Sequence, residues 1–324
     1  MSTSSRWQPA HRHPRPSRGG TAIIASLVAA ALPACKTGIV HDVIEYAATP
    51  CPFGTEQVVS KESGTPGLKK LIEKWCETKD AHGEPIRHGP YVELYESGKT
   101  EQVGQYRNGR RDGAWTRWHV NGKVDAIIVY SDGKPQSFVA WHDNGQKWEE
   151  GRFEDGFREG AWIRWHGNGQ KEVEGYYVHG VFERLYTVWH DNGQKQEQGE
   201  YKNGIREGLW TSWHRNGQKR SEILFHGGKP DDWYRAWHEN GQQAEQALFH
   251  DGKPEGSYTI WHDNGQKEEE GTYRDGVLDG RVTAWDKDGH VWMKTEYKGG
   301  SLVDGPAPDP LAEAIPSEPP APVK

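Results

Sequence analysis

Seven histidines recur at nearly equal intervals and are the first candidates for chemistry. They are His119, His142, His166, His190, His214, His238 and His262. Evenly spaced imidazoles suggest a metal site, because histidine is a common zinc ligand. Zinc requires its ligand nitrogens at ~2.0–2.1 Å. If each histidine belongs to its own two-stranded unit of a sheet, neighbouring rings lie ~9.6 Å apart. We therefore expect no metal and no cofactor, and we assign these histidines to packing beside a turn.

Paired carboxylates are the second candidates. They occur at Glu149 with Glu150, at Glu172 with Glu174, and at residues 268–270, and glycosidases use such pairs as acid and base. Because the pairs recur with a sequence repeat and fall on open strands, we expect them to be cross-strand partners of Lys and Arg. The glycine-rich loops, such as 203–208, lack the lysine and strand-to-helix setting of a phosphate loop. The sequence thus predicts no catalytic residue and no enzyme.

The elements that position these residues belong to a repeat. The unit G-x-W-x-x-W-H-x-N-G-Q-K-x-x-x-G-x-Y-x-x-G-x-x-x-G returns about every 24 residues, with one step of 23. Its second Trp falls at Trp118, Trp141, Trp165, Trp189, Trp213, Trp237, Trp261 and Trp285, with Leu94 in the same slot one unit earlier. Hydrophobic residues make up only 33% of the chain, so burial has to come from these aromatics rather than from an aliphatic core.

Each unit is predicted to be a β-hairpin. Asn-Gly is the strongest short-range signal for a type I′ turn, because both central residues need positive φ. A two-residue turn places Trp165 opposite Glu172 and Trp162 opposite Gly175, so that an indole covers a bare glycine. The predicted fold is all-β, an elongated single-layer antiparallel β-meander of about nine 24-residue hairpin repeats, on the order of 85 Å long.

Aromatic residues form columns along this predicted sheet, and two columns supply candidate binding surfaces. Shielding of the sheet's own backbone is the alternative role, and a β-bulge near the glycine-rich loops would move a column to the other face. Because no second layer is predicted to cover either face, we expect one face to bind a partner. The candidate binding-surface aromatics are Trp115, Trp162, Tyr177, Tyr186, Tyr201, Trp210, Tyr234, Tyr258 and Tyr273.

The N-terminus has the features of an export signal. Four arginines and no acid precede an apolar run that ends at Cys35, and this run is too short to span a bilayer but suits a signal peptide. We predict that Cys35 is lipidated; a signal cut without lipidation, or a wrongly chosen start codon, remains the alternative. The predicted organisation is a signal peptide (1–34), a tether (35–50), an N-terminal cap hairpin (51–88), nine repeats (89–305) and a Pro-rich disordered tail (306–324).

Two cysteines remain after Cys35. We predict that Cys51 and Cys76 form a disulfide in a compartment that permits oxidation. Closure of the loop between them should stabilise the fold by roughly 3 kcal/mol, because it lowers the entropy of the unfolded chain. Two reduced, buried thiols are the alternative. Within the cap, a short helix over 68–75 competes with the hairpin interpretation.

The repeat unit resembles the variant MORN repeat of bacterial proteins, many of which are labelled as antitoxin components of toxin–antitoxin pairs. The resemblance covers residues 89–305 and implies a single-layer, twisted β-meander with a binding or scaffolding role. It supplies no catalytic residues. The export signal departs from the antitoxin label, because a neutraliser of a cytoplasmic toxin should remain in the cytoplasm.

Together these features predict a non-enzymatic repeat scaffold that is lipid-anchored in the cell envelope, at the outer membrane, and binds an unknown protein. Removal of the four N-terminal arginines changes the net charge from −7 to −11, which makes nucleic acid an unsuitable partner. Membrane contact is expected through the lipid anchor only. The alternatives are an antitoxin or immunity protein and a cell-wall glycan-binding module whose aromatic rings stack on sugars.

Overall fold

The computed structural model describes residues 50–61 and 72–304, in which every regular element is a β-strand. These residues contain no helix that is long and apolar enough to cross a membrane. The strands are β1 (Glu56–Lys61), β2 (Ile72–Lys79), β3 (Pro85–Leu94), β4 (Thr100–Arg107), β5 (Arg110–Trp118), β6 (Val124–Ser131), β7 (Lys134–Trp141), β8 (Lys147–Glu154), β9 (Phe157–Trp165), β10 (Lys171–Val178), β11 (Val181–Trp189), β12 (Lys195–Lys202), β13 (Ile205–Trp213), β14 (Lys219–His226), β15 (Lys229–Pro230), β16 (Asp232–Trp237), β17 (Gln243–His250), β18 (Lys253–Trp261), β19 (Lys267–Arg274), β20 (Val277–Leu278), β21 (Gly280–Trp285), β22 (Val291–Lys298) and β23 (Ser301–Asp304).

The strands form one open antiparallel sheet in which each strand pairs with its neighbours in sequence. For example, β10 pairs with β9 on one side and with β11 on the other. Two strands are split by an aspartate: β15 and β16 both pair with β14, and β20 and β21 both pair with β19. The predicted all-β meander is confirmed.

Two kinds of turn alternate along the sheet, and their positions correct the sequence prediction. The two-residue type I′ turn is His179-Gly180, with φ of 49° and 84°, between the paired residues Val178 and Val181. In the Asn168-Gly169 turn only the glycine has positive φ. There the His166 N–H donates to the Gln170 carbonyl at 2.9 Å, which closes a three-residue loop. The type I′ turns therefore lie at the opposite ends of the strands from the recurrent Asn-Gly that follows the histidine, and two of them, Asn108-Gly109 and Asn203-Gly204, are themselves Asn-Gly.

The three-residue loop also changes one predicted pair. Trp162 lies opposite Gly175, as predicted, but Trp165 lies opposite Lys171 rather than Glu172. The register shifts between Lys171 and Val173, so that Glu172 is the extra residue of a β-bulge. A type I turn followed by a left-handed glycine requires such a bulge, and a two-residue turn does not.

A second, larger bulge sits at the start of most units. Between β8 and β9 the pairs are Glu150 with Ile163 and Arg152 with Glu159, so residues 160–162 face Gly151 alone. Gly160 adopts a φ of 74° there, a conformation that costs glycine little. The bulge tilts the Trp162 indole backwards over the preceding strand. The indole therefore covers Gly151 and not its paired residue Gly175, which corrects the predicted pairing of indole and glycine.

At the N-terminus the sheet runs without a break into the repeats. Strand β1 pairs with β2, and β2 pairs with β3. A disulfide joins Cys51 to Cys76 on β2, with Cα atoms 5.6 Å apart. Residues 72–75, part of the alternative helix, are strand. The signal peptide with Cys35, most of the tether, part of the cap and the Pro-rich tail lie outside the described residues.

Candidate functional site

The aromatic columns that we selected as a binding surface are largely buried, which corrects that prediction. Trp115 and Trp210 are each 2% exposed, and Trp162, Tyr186, Tyr201 and Tyr258 are also buried. The other three candidates, Tyr177, Tyr234 and Tyr273, are half-buried. All nine lie on one side of the sheet, here called the first face. Because their rings are covered by protein, they form the core of the single layer rather than a surface for a partner.

The rings bury one another through edge-to-face packing between successive units. The Tyr201 and Trp210 centroids are 5.0 Å apart at an interplanar angle of 80°, and Tyr186 lies 6.2 Å from Trp210 and 5.4 Å from Tyr201. Such pairs add about 0.5–1.5 kcal/mol each beyond the burial of their area. The Trp210 indole N–H donates to the Glu200 carbonyl at 3.2 Å, so its polar atom is satisfied. Core packing therefore explains these columns.

Arginines lie over several of these rings, a feature that the sequence analysis missed. The Arg206 guanidinium carbon is 4.0 Å from the Trp210 ring centroid, and the corresponding Arg158 is 4.2 Å from Trp162. Arg206 also binds Glu197 at 2.9 Å. The sequence feature that indicates this stacking is an arginine four residues before the first Trp of a unit. These stacked cations both cover the rings and neutralise first-face carboxylates.

Two units towards the C-terminus keep the first-face glutamate but lack this cation. Glu245 and Glu269 occupy the same slot as Glu197, but Pro254 and Leu278 replace the arginine. Among the described residues the Glu245 Oε1 atom has no hydrogen-bond partner. Burial raises the pKa of Glu245 to about 7. Glu269 accepts a hydrogen bond from the Tyr258 hydroxyl at 2.5 Å, and burial also raises its pKa.

The histidine column links neighbouring units. The His166 Nε2 lies 3.0 Å from the Trp189 carbonyl oxygen, and because a carbonyl only accepts, the ring carries a proton on Nε2. The same contact recurs from His119, His142, His190, His214, His238 and His262 to the Trp of the next unit. Asn168 Nδ2 likewise donates to the Asp191 carbonyl at 2.6 Å. Side chains thus provide hydrogen bonds between loops whose backbones do not pair.

The last loop departs from this pattern. Asp286 and Asp288 replace the histidine and asparagine, and Asp286 Oδ1 accepts the backbone N–H groups of Asp288 and His290 at 3.0 and 2.8 Å. The His290 N–H is the main cause of the lowered pKa of Asp286. Ligand atoms of Asp286, Asp288 and His290 lie within 4.8 Å of one another on the exposed loop. Local capping of the loop accounts for this arrangement.

The paired carboxylates have separate cationic partners. On the side opposite the aromatic core, here called the second face, Lys171 binds Glu174 at 2.8 Å and lies 5.6 Å from the Trp189 ring centroid. Glu172 binds Arg164 at 2.8 Å. A first-face cleft of about 160 Å³ is lined by Glu149 and Arg158 among others, but it contains one carboxylate rather than two. This cleft therefore does not place an acid and a base across a shared substrate.

An exposed apolar patch lies on the second face of the central units. The residue that follows the bulge position is Ala114, Ala161, Ser257 or Arg281 in other units. In the three central units it is Leu185, Leu209 and Trp233. Leu185 and Leu209 are 52% and 56% exposed. Across the hairpins, Leu209 pairs with Leu224, and Trp233 pairs with Leu248. We call Leu185, Leu209, Leu224, Trp233 and Leu248 the apolar patch.

A second apolar row marks the same part of the sheet. The first residue after the type I′ turn is Phe157, Val181 and Ile205 in successive units, with exposures of 55%, 46% and 49%. On either side of this row the slot holds a cation paired with the next turn, as in Lys134 with Asp155 at 3.0 Å and Lys229 with Asp251 at 2.7 Å. The slot thus loses its charge in three successive units here and again at the exposed Val277.

Carboxylates lie between the two apolar rows. Glu200 pairs with Leu185 on one side and directly with Glu207 on the other. Glu207 accepts the Gly227 N–H at 2.9 Å, which is the main cause of its lowered pKa, and lies 3.2 Å from His226 Nδ1. Among the described residues Glu200 has no ion-pair partner. The patch thus combines exposed leucines with a carboxylate, Glu200, that has no ion pair in the described part of the chain, while Lys202 and His226 act on Glu207.

Comparison with known proteins places part of this patch within recognised repeats. Four segments, 158–179, 185–203, 206–226 and 254–275, match the family described as MORN repeat variant. The repeats of this family are generally non-catalytic binding repeats. The second and third matched segments contain Leu185, Leu209 and Leu224. No curated protein sequence is significantly similar to the chain.

Proposed function

We propose that this chain with its MORN repeat variants is a non-enzymatic scaffold that binds another protein through the apolar patch. The observation that carries the proposal is the exposure of Leu185 and Leu209, 52% and 56%, on a sheet whose first-face aromatics are largely buried. Exposed apolar patches mark interaction sites in soluble proteins. The apolar row at Phe157, Val181 and Ile205 shares two of its three units with the patch and extends the surface into the preceding unit.

Photo-crosslinking in the native host tests this proposal. A benzophenone amino acid replaces Leu209 in one strain and Ser257, the corresponding residue two units away, in a control strain. We expect a protein adduct from position 209 that is absent from position 257 and that disappears when Leu224→Asp is added. Equal adducts at both positions, or none at position 209, would contradict binding at the patch.

We further propose that the scaffold is attached to the outer membrane through a lipid on Cys35. The apolar run before Cys35 supports a lipoprotein signal, and Lys36 follows the cysteine in place of the aspartate that favours inner-membrane retention. Cys35→Ala should move the protein from the membrane fraction to a soluble one. A wild-type chain that fractionates with the cytoplasm would contradict the anchor.

Burial of the aromatic rings bears on the glycan alternative. Rings that stack on sugars need an open face, and Trp115, Trp162 and Trp210 are at most 4% exposed. Peptidoglycan pull-down tests this alternative, and retention of the wild-type chain would favour it. An antitoxin or immunity role would use the same patch. A toxin gene beside this one, with a product that crosslinks to position 209, would identify that role.

A further inference from the structure

The charge arrangement around Glu200 differs from that around the corresponding residue two units earlier. In the sheet between β12 and β13, Glu200 lies directly opposite Glu207. Two units earlier, the corresponding pair between β8 and β9 is Arg152 opposite Glu159. Opposite charges across strands stabilise a sheet, and like charges destabilise it, by roughly 0.2–1 kcal/mol. The central unit therefore has no cation directly opposite Glu207; Lys202, which acts on Glu207, lies two residues further along β12 than Glu200.

The surroundings of this pair are apolar on both sides. Leu185 is paired with Glu200, and Leu209 follows Glu207 after the bulge glycine. Both leucines are more than half exposed. His226 contacts Glu207 rather than Glu200. A ligand that combines a positive charge with apolar groups would therefore complement this surface.

The spacing of the patch favours a helical ligand. Equivalent residues of successive units, Leu185, Leu209 and Trp233, are two strands apart, ~9.6 Å. Residues i and i+7 of an α-helix lie on one side and ~10.5 Å apart along the axis. A strand places residues of one face ~6.6–6.8 Å apart, which does not match the unit spacing. A helix with apolar residues every seven positions can therefore contact three units in succession.

We propose that the patch binds a basic amphipathic α-helix of a partner protein, with one lysine or arginine placed between Glu200 and Glu207. The partner's cation takes the role that Arg152 has beside Glu159, and its apolar residues cover Leu185, Leu209, Leu224, Trp233 and Leu248. This inference rests on the proposed function and specifies the chemistry of the partner.

Synthetic helices of defined charge test the inference. Three 21-residue peptides are compared by fluorescence anisotropy: a leucine heptad face flanked by lysines, the same face flanked by glutamates, and a lysine peptide with scrambled leucines. We expect the first peptide to bind the full-length protein at least about tenfold more tightly than either of the others. Equal binding of the glutamate-flanked peptide would overturn the inference.

Variants of the protein locate the contact. Glu200→Gln should weaken the lysine-flanked peptide by about tenfold, and Glu200→Arg should weaken it further, because the arginine pairs with Glu207 within the chain. Both changes remove the like-charge pair, so we expect the melting temperature to rise or stay constant while binding falls. The matched control Thr272→Gln, in the corresponding slot three units away, should leave binding unchanged. Unchanged binding by Glu200→Arg would also overturn the inference.

The two proposals fail in distinguishable ways. If Leu209→Asp removes binding of all peptides and a native partner crosslinks at position 209, but glutamate-flanked peptides bind as well as lysine-flanked ones, only the basic character of the partner is wrong. If no peptide binds and position 209 gives no adduct, the patch is not a protein-binding surface and both proposals are wrong.

Discussion

Gly151 lies directly beneath the indole of Trp162, so closely that a Cβ atom on Gly151 would stand 2.1 Å from the Trp162 Cε2 atom. The same relation holds at 2.2 Å for Gly104 with Trp115 and for Gly199 with Trp210. The glycine of one unit is thus required by the tryptophan of the next. This contact couples successive units across the first face.

Gly151→Ala should destabilise the sheet, because the new methyl group must displace the Trp162 ring from a packed position. Overpacking of this kind costs about 1–3 kcal/mol, measurable as a lower midpoint in urea unfolding. The matched control is Gly167→Ala. Gly167 has no positive φ, and the nearest atom to its added Cβ is 3.8 Å away. If the two variants unfold at the same urea concentration, the close contact at Gly151 is wrong.

Removal of the second-face and first-face tryptophans should have unequal effects. Trp210 is 2% exposed, and Trp210→Ala should cost about 3–5 kcal/mol, as is typical for aromatic truncation in a packed site. Trp189 is half-buried beneath Lys171, so Trp189→Ala should cost less. Thermal unfolding of both variants measures the difference. A larger loss for Trp189→Ala would mean that the core lies on the other face.

The sequence allowed the repeat, the strands and the pair Trp162–Gly175 to be predicted, because these depend on local periodicity. It did not allow prediction of which glycine the indole covers. That depends on the bulge at Gly160, which places residues 160–162 opposite the single residue Gly151. A bulge of this size reflects contacts between units rather than local residue preference. Because contacts between units could not be predicted, the aromatic columns were also expected to be exposed.

The candidate site was harder to predict because it consists of departures from the repeat. A repeat consensus emphasises residues that every unit shares, and those proved to be core and inter-unit contacts. Leu185, Leu209 and Trp233 occupy a slot that holds small or charged residues elsewhere. Alignment of the units by slot shows this change in polarity. That Glu200 faces Glu207 also depends on the bulge register, which the sequence alone does not determine.

Stability should depend on pH through Glu245. Burial raises the pKa of Glu245 from an ordinary value of 4.5 to about 7, so the folded state prefers the neutral carboxyl. This contribution to stability is fully present below pH 4.5 and is lost as the pH rises through about 7. Glu245→Gln should therefore be more stable than wild type at pH 8, by roughly 1–3 kcal/mol, and equal to it at pH 4. Urea unfolding at both pH values measures this.

An exposed carboxylate provides the control for the pH experiment. Glu174 is paired with Lys171 on the second face, and surface pairs contribute roughly 0–1 kcal/mol. Glu174→Gln should thus lower stability slightly at pH 8, in the opposite direction to Glu245→Gln. A destabilising effect of Glu245→Gln at pH 8 would mean that a cation pairs with Glu245. It would contradict the claim that this carboxylate is buried without a partner.

The disulfide between Cys51 and Cys76 should be present in protein purified from the cell envelope. Mass spectrometry of non-reduced tryptic peptides should show the two cysteines cross-linked. Reduction should lower stability by roughly 3 kcal/mol, because the bond closes a loop of 25 residues and restricts the unfolded chain. Free thiols at both positions would contradict the bond.

The central claim is that one local surface of a modular sheet binds the partner, and unit deletion tests it most directly. Deletion of residues 185–208 removes Leu185, Glu200 and Glu207 and keeps every hairpin in phase, so the shortened array should still fold. Deletion of residues 257–280 removes an equally long unit outside the apolar patch. The measurement is the affinity for the partner that crosslinks at position 209. We predict a loss of at least about tenfold for the first deletion and less than about twofold for the second. Equal losses from two folded deletion variants would contradict the local site and indicate binding along the whole array.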